Sequence, residues 1–329
     1  MDAIRLHEFG PAGNLVLDEL PDLEPEPGQV RILVAAAGVH LLDTSLRRGD
    51  PDTPIPLPEL PTIPGREVAG TVDRVGDRRD EHWVGRRVVA HLGPVPGGYA
   101  EQAVTSVDAL IPLADDVAFP DAVAAVGTGR TAAGILELEP PTKDDVVWVP
   151  SAAGGLGWFL VQSATAAGAT VVAGAGSAER TEVVARLEPE LVVDYSRPGW
   201  PDLVRKRVDG LTLAYDGVGG DVGRRSLELL RPGGRMVMFG YSSGQPTRFD
   251  TDDVLTRSIS VGWSLGPRLA ALPGGIRGLA ERAVERVASG EWRPLVTTYP
   301  LAEAGRAHAD LEGRRVLGKA VLVTDEHGR

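Results

Sequence analysis

The sequence predicts an α/β protein of two domains: a compact β-rich domain and a doubly wound parallel six-stranded sheet. Three observations lead there. The 329-residue chain exceeds the length of one typical domain. Up to about residue 120 it reads as short strands broken by Gly and Pro. From about residue 129, continuous apolar runs alternate with helical stretches, the pattern of parallel strands buried on both faces.

The β-rich part contains the runs QVRILVAAAGV, REVAGTVDRVG and GRRVVAHLG, each bounded by turn residues. Between them Asp50–Gly65 carries six prolines, which no helix survives. This is expected to be a rigid connecting loop, although its PxxP spacing would also suit a docking peptide. The second part supplies six strand candidates: VVWVP, TVVAGAG, LVVDY, LTLAYDGV, RMVMFG and ISVGWSL. Strands alternating with helices imply right-handed crossovers and a doubly wound sheet. A long helix, GIRGLAERAVERVASGEW, and a coda of LVTTYPL, AEAGRAHADLEG and KAVLVT complete the chain. No repeat is present, and no disordered tail longer than the last five residues is expected.

Composition narrows function by exclusion. A net charge of −12 and a pI near 5.0 leave no basic face for a nucleic-acid backbone or an anionic membrane surface. The longest basic cluster, Arg205-Lys206-Arg207, reads as a solvated helix face. No run approaches the roughly 18 apolar residues of a spanning helix, and the N-terminus has no signal-peptide pattern. With no cysteine, the chain has no disulfide, thiolate-held metal or thiol nucleophile. That composition suits a reducing cytoplasm.

The chemistry-bearing motif lies between the first strand and helix of the second part. Ala152-x-Gly154-x-x-Gly157 is a close variant of the glycine fingerprint for dinucleotides, with Ala in place of the first Gly. Gly154 would let backbone N–H groups approach a pyrophosphate, and Gly157 would let the helix pack closely on the strand. The alternative is a small-residue junction without a ligand. The following strand ends AGAGSAER, with no acid between Asp145 and Glu179. A carboxylate there would hold a ribose 2′-hydroxyl. Ser177 and Arg180 suit a 2′-phosphate instead, so NADPH is expected over NADH.

At this point the chain resembles the medium-chain dehydrogenase/reductase superfamily, in its zinc-free quinone oxidoreductase branch. The resemblance runs nearly end to end, through AAAGVHLLDTSLRRGD, IPGREVAGTVDRVG, GGYAE, TGRTAAGIL, SAAGGLG, VVDYS, AYDGVGG, GGRMVMFGYSSG and LGKAVLVT. It implies a GroES-like catalytic domain built from residues 1–128 and 267–329. A Rossmann NADPH-binding domain, 129–266, is inserted between them, with the active site in the cleft. It implies cofactor contacts at Thr131, Gly154, Gly155, Leu156, Gly157, Ser177, Arg180, Tyr195, Phe239, Gly240, Tyr241, Ser242 and Lys319. A homodimer through the strand near Ile259–Leu265 is a further implication.

The departures concern the substrate side. Zinc-dependent relatives carry Cys where this chain has His40 and His where it has Arg66. Zinc-free quinone reductases usually carry Asn at position 40 and Tyr at position 45, here His40 and Ser45. His40 and Ser45 are the candidate catalytic, pocket-lining residues. With Asp43 and Glu67 near His40 in the family pattern, a residual metal site is imaginable, but the Arg66 cation argues for no metal. The implied reaction is NADPH-dependent reduction of a quinone. The alternatives are an enoyl or 2-alkenal double-bond reductase and a non-catalytic NADPH-binding protein.

Overall fold

The computed structural model describes residues 1–93 and 96–324; the last five residues, set aside as a candidate tail, lie outside the described residues. The chain forms two compact units, Met1–Thr128 with Ala283–Arg329, and Gly129–Arg282.

The first unit opens with a hairpin, β1 (Asp2–Leu6) against β2 (Leu15–Glu19). The long β3 (Gln29–Val39) leads through His40 into helix α1 (Leu41–Arg48). Then come β4 (Glu67–Val75), β5 (Arg87–His91), β6 (Gln102–Ser106), β7 (Leu110–Pro112) and the short α2 (Phe119–Ala124). The proline-rich stretch forms neither helix nor strand, as its lack of backbone donors dictates.

The second unit alternates as its apolar runs foretell. It runs α3 (Arg130–Leu138), β8 (Val146–Val149), α4 (Gly155–Ala166), β9 (Thr170–Ala175) and α5 (Ala178–Val184). It continues β10 (Leu191–Asp194), α6 (Trp200–Arg207), β11 (Leu211–Asp216), α7 (Gly220–Leu229) and β12 (Leu230–Met238). It ends with α8 (Thr251–Arg257), β13 (Ser260–Trp263), α9 (Pro267–Ala270) and α10 (Gly275–Ala288). The strands are all parallel, in the order β10-β9-β8-β11-β12-β13. The strand order therefore reverses between β8 and β11, the switch point where such sheets bind ligands. Trp148 of β8 anchors the core. It stacks on Trp200 at 4.9 Å between centroids, and its indole N–H donates to Ser226 at 2.7 Å.

The coda returns to the first unit. β14 (Val296–Pro300), α11 (Ala304–Glu312) and β15 (Lys319–Val323) follow, and β15 pairs antiparallel with β3. The first unit's sheet then reads β14-β15-β3-β4-β5-β7, with β6 also on β3. Its core gathers Ile4, Val30, Ile32, Val68, Val88, Tyr99 and Leu322.

One boundary needs correction. Residues 267–282, expected to belong with the closing part of the catalytic domain, fall in the second unit, and the division lies inside α10. The reason is packing. Leu269 and Leu279 close over Gly134 of α3, where a Cβ would come within 3.1 Å of Leu279. Arg282 adds an ion pair to Glu137 at 2.6 Å.

Candidate functional site

The turn after β8 is built by its backbone. Ala152 N–H donates to Gly174 O at 2.8 Å, which ties the turn to β9, and Gly154 N–H donates to Ser151 O at 2.9 Å. Gly154 caps α4 in extended geometry without any side-chain cap, and the first intrahelical bond runs from Trp158 N–H to Gly154 O. The N–H groups of Gly155, Leu156 and Gly157 are thus the orphan donors of a 12-residue helix. They stand at the switch point with the positive end of the helix dipole behind them. A Cβ on Gly157 would lie 2.8 Å from Ala152 Cα and 2.9 Å from Ser151 C, so only glycine lets α4 start this close. The close approach is to the turn, where the sequence suggested the strand. A Cβ on Gly154 would meet Ser151 O at 3.2 Å and Ser151 Oγ at 3.3 Å, a tighter fit than an open cradle.

The tips of β9 and β10 meet beside this turn. Tyr195 N–H donates to Ala175 O at 2.9 Å, and Gly176 leaves room for the Tyr195 ring, which a Cβ would approach to 3.3 Å. Ser177 is the N-cap of α5, its Oγ accepting from Arg180 N–H at 3.3 Å. Accepting that bond leaves the Ser177 O–H able to donate outward. Ser177 and Arg180 thus follow the end of β9 at the start of α5, and Tyr195 follows the end of the neighbouring β10.

The loop after β12 is held by backbone. Phe239 N–H donates to Asp216 O at 2.9 Å and Ser242 N–H to Gly217 O at 3.1 Å. The Asp216 carboxylate, fully buried, accepts from Val218 and Gly219 N–H at 2.9 Å each and from Thr247 Oγ1 at 2.5 Å. This clamp, absent from the sequence reading, fixes the loop carrying Phe239, Gly240, Tyr241 and Ser242. Phe239 is buried and Tyr241 is 52% exposed. Thr131 lies in the first turn of α3, half-buried.

In the first unit, side chains from three strands and loops converge. His40 Nε2 lies 2.6 Å from Glu67 Oε1 and 2.5 Å from Lys319 Nζ, and Lys319 Nζ donates to Glu67 Oε2 at 3.1 Å. Glu67 and Lys319 are buried, His40 about one-third exposed. One ring nitrogen serves one partner at a time: protonated it donates to Glu67, unprotonated it accepts from Lys319. Gly38 and Gly127 clear the space, since a Cβ on either would run into Glu67. Lys319 was expected among the cofactor contacts; its ammonium is placed here on His40 and Glu67. That ammonium lies against both His40 and Glu67, and a donor set that carries a cation does not fit a metal. No cluster of three or more His, Cys, Asp or Glu suited to a metal occurs among the described residues.

Ser45 Oγ accepts from the Arg48 guanidinium of the same helix at 3.0 Å. Neither His40 nor Ser45 lines the adjacent cavity. That space, about 310 Å³, is walled by Leu6, Leu46 and the proline-rich stretch with Asp43, Arg47 and Arg66. Behind it lies a buried chain. Asp43 accepts from His40 N–H at 2.7 Å and from Tyr99 Oη at 3.3 Å, and Tyr99 Oη lies 3.1 Å from His308 Nε2. Burial chiefly, with Arg47 and Arg48 adding to it against Asp43 and Glu312, pushes His308 down to about 4. Burial and Asp43 raise the Tyr99 phenol well above its usual value, so Tyr99 is a donor at every physiological pH.

Sequence comparison matches residues 26–115 to the alcohol dehydrogenase GroES-like domain and residues 155–281 to the zinc-binding dehydrogenase domain. The chain is 31% identical to a Burkholderia sp 2-haloacrylate reductase, covering 98% of each. It is 31% identical to a Pseudomonas aeruginosa quinone oxidoreductase, covering 97% of this chain and 98% of that one. The chain belongs to the medium-chain dehydrogenase/reductase superfamily, in its quinone oxidoreductase branch. The quinone oxidoreductase of Thermus thermophilus, solved alone and with NADPH, superposes with a TM-score of 0.80. It is 30% identical, with 98% of this chain and 100% of that chain covered.

Within this superfamily fold, the backbone-built elements are legible in the sequence and the charge partners are not. Glu67 had a signal, since it lies beside Arg66 in REVAG, but only as a metal candidate. Arg47 had none: one of two adjacent arginines on an amphipathic helix reads as surface, yet it is 2% exposed while Arg48 faces solvent.

Proposed function

We propose that this chain is an NADPH-dependent oxidoreductase that passes hydride to a quinone, without zinc, as a cytoplasmic homodimer. The observation that carries the reading is the uncapped start of α4 at the switch point, beside a β9 tip without a carboxylate. The N–H groups of Gly155, Leu156 and Gly157 suit a pyrophosphate. The Ser177 hydroxyl and the Arg180 guanidinium suit a 2′-phosphate, and the Tyr195 ring suits the adenine side of the ligand. Thr131 and the Phe239–Ser242 loop would border the nicotinamide. Bound NADPH supplies the hydride. The quinone is the substrate named for several relatives, and it is electrophilic enough to accept hydride with hydrogen-bond donors alone. His40, Ser45 or solvent would supply the protons of the reduced product. Homodimer formation is supported by the open edge of β13, where Trp263 is 43% exposed.

A second reading is reduction of an activated alkene, supported by the charged cavity beside α1 and by the name of the Burkholderia relative. A panel assay decides. NADPH oxidation is followed with 1,4-benzoquinone, an enone and a 2-alkenal. Turnover fastest with the quinone is expected. Tight NADPH binding with no oxidation across the panel would instead make this a non-catalytic NADPH-binding protein.

A further inference from the structure

Four residues other than glycine have a left-handed backbone among the described residues: Ser151, Glu188, Ser258 and Arg314. Side chains rarely adopt this conformation, because Cβ then crowds the carbonyl oxygen. Helix ends explain three of the four. Glu188 caps the C-terminus of the short turn Ala185–Leu187, and Ser258 caps that of α8. Arg314 comes directly after Gly313, the C-cap of α11. A left-handed residue at such a place closes the last helical turn. Ser151 has no such reason. Its φ is 55°, and it follows a strand, β8, and Pro150.

Glycine would take this bend at no steric cost. The contacts that the bend makes are backbone contacts. Ser151 O accepts from Gly154 N–H at 2.9 Å, and Ser151 C lies 2.9 Å from the place of a Cβ on Gly157. Glycine would serve both equally well. What serine adds is a hydroxyl, and a residue kept in a costly conformation at a ligand turn points to the group it brings there. That hydroxyl is not used inside the fold. The residue is half-buried, and its Oγ has no hydrogen-bond partner among the described residues. It does not cap α4, whose N-cap Gly154 has no side-chain cap. Its Oγ lies 3.3 Å from the point that a Cβ on Gly154 would occupy. It therefore stands on the face of Gly154 that the absent side chain leaves open.

We infer that the Ser151 hydroxyl is a ligand of the dinucleotide, donating to an oxygen of its pyrophosphate. The inference rests on the NADPH reading above. It adds one side chain to a contact otherwise made by the backbone N–H groups of Gly155, Leu156 and Gly157. A hydroxyl can rotate its proton toward an acceptor, and an ionised phosphate oxygen makes that bond a strong one. The pyrophosphate is common to NADPH and NADH. Ser151 thus raises affinity for both, and the choice between them stays with Ser177 and Arg180.

Calorimetric titration of wild type, Ser151→Ala and Ser151→Gly with three probes tests this. The probes are NADPH, NADH and adenosine 2′-monophosphate, which has no pyrophosphate. Ser151→Ala keeps Cβ and loses only the hydroxyl. It is expected to weaken NADPH and NADH alike, by about tenfold. Adenosine 2′-monophosphate is expected to bind as it does to wild type, which a general loosening of the fold would not allow. Ser151→Gly is expected to lose the same affinity while melting no lower than wild type, since glycine fits the bend. Binding of NADPH and NADH by Ser151→Ala within twofold of wild type overturns the inference. So does a loss confined to NADPH, or a loss shared by adenosine 2′-monophosphate. If wild type binds none of the three probes, the NADPH reading falls and this inference falls with it.

Discussion

The start of α4 and the cluster of His40, Glu67 and Lys319 are both places where charge is managed, and they are made in opposite ways. At α4 the donors are backbone N–H groups, aimed by a turn of seven consecutive residues. At His40 the polar atoms are side chains brought together from positions 27 and 279 residues away. The first depends on what is missing, a Cβ at Gly157 and a side-chain cap at Gly154. The second depends on two buried ions balancing each other. The difference teaches where each site is fragile: steric at the turn, electrostatic at the cluster.

The largest effect is expected at the cluster. Glu67→Ala would leave the Lys319 ammonium, 4% exposed, without its carboxylate. Breaking a buried pair from one side costs about 3–5 kcal/mol. Urea denaturation of the variant should show that loss. A cost under about 1 kcal/mol would mean that the pair is effectively solvated, and the contrast between the regions would collapse.

Next comes pH. His308 is held at about 4 inside the fold, against an ordinary 6.5 in the unfolded chain. Between those values the unfolded chain binds the extra proton, so stability falls as pH drops from about 6.5 to about 4. At about 1.4 kcal/mol per unit the window is worth about 3 kcal/mol. Denaturation midpoints across that range should slope for wild type and flatten for His308→Gln. An unchanged slope would place the acid sensitivity elsewhere.

At the dinucleotide side, Arg180→Ala should weaken NADPH by about 1.5–3 kcal/mol, the worth of charged hydrogen bonds, and leave NADH nearly alone. Fluorescence titration of both cofactors measures it, and equal losses would remove Arg180 from the 2′-phosphate site. Gly157→Val should cost about 1–3 kcal/mol of stability by overpacking, together with binding of both cofactors. Gly154→Val should cost less stability, because its Cβ meets Ser151 at 3.2 Å where that of Gly157 meets Ala152 Cα at 2.8 Å. Thermal melts paired with cofactor titration rank the two; reversed order would show that the turn yields at Gly157.

The sequence alone determined the second unit well. Six apolar runs, one glycine turn and an acid-free strand end are local signals, and each translates into a strand, a backbone approach or a missing repulsion without help from the rest of the chain. It also marked the proline-rich stretch as irregular. The tertiary structure decided the rest. It assigned residues 267–282 to the second unit, because Leu269 and Leu279 needed the groove over Gly134. It put Lys319 on Glu67, buried Arg47 while exposing Arg48, and sank His308 out of reach of solvent. Local patterns encode backbone geometry, because φ, ψ and the space around Cα are set by near neighbours. The partner of a buried charge is set by which distant strands come to lie side by side, and no window of sequence contains that.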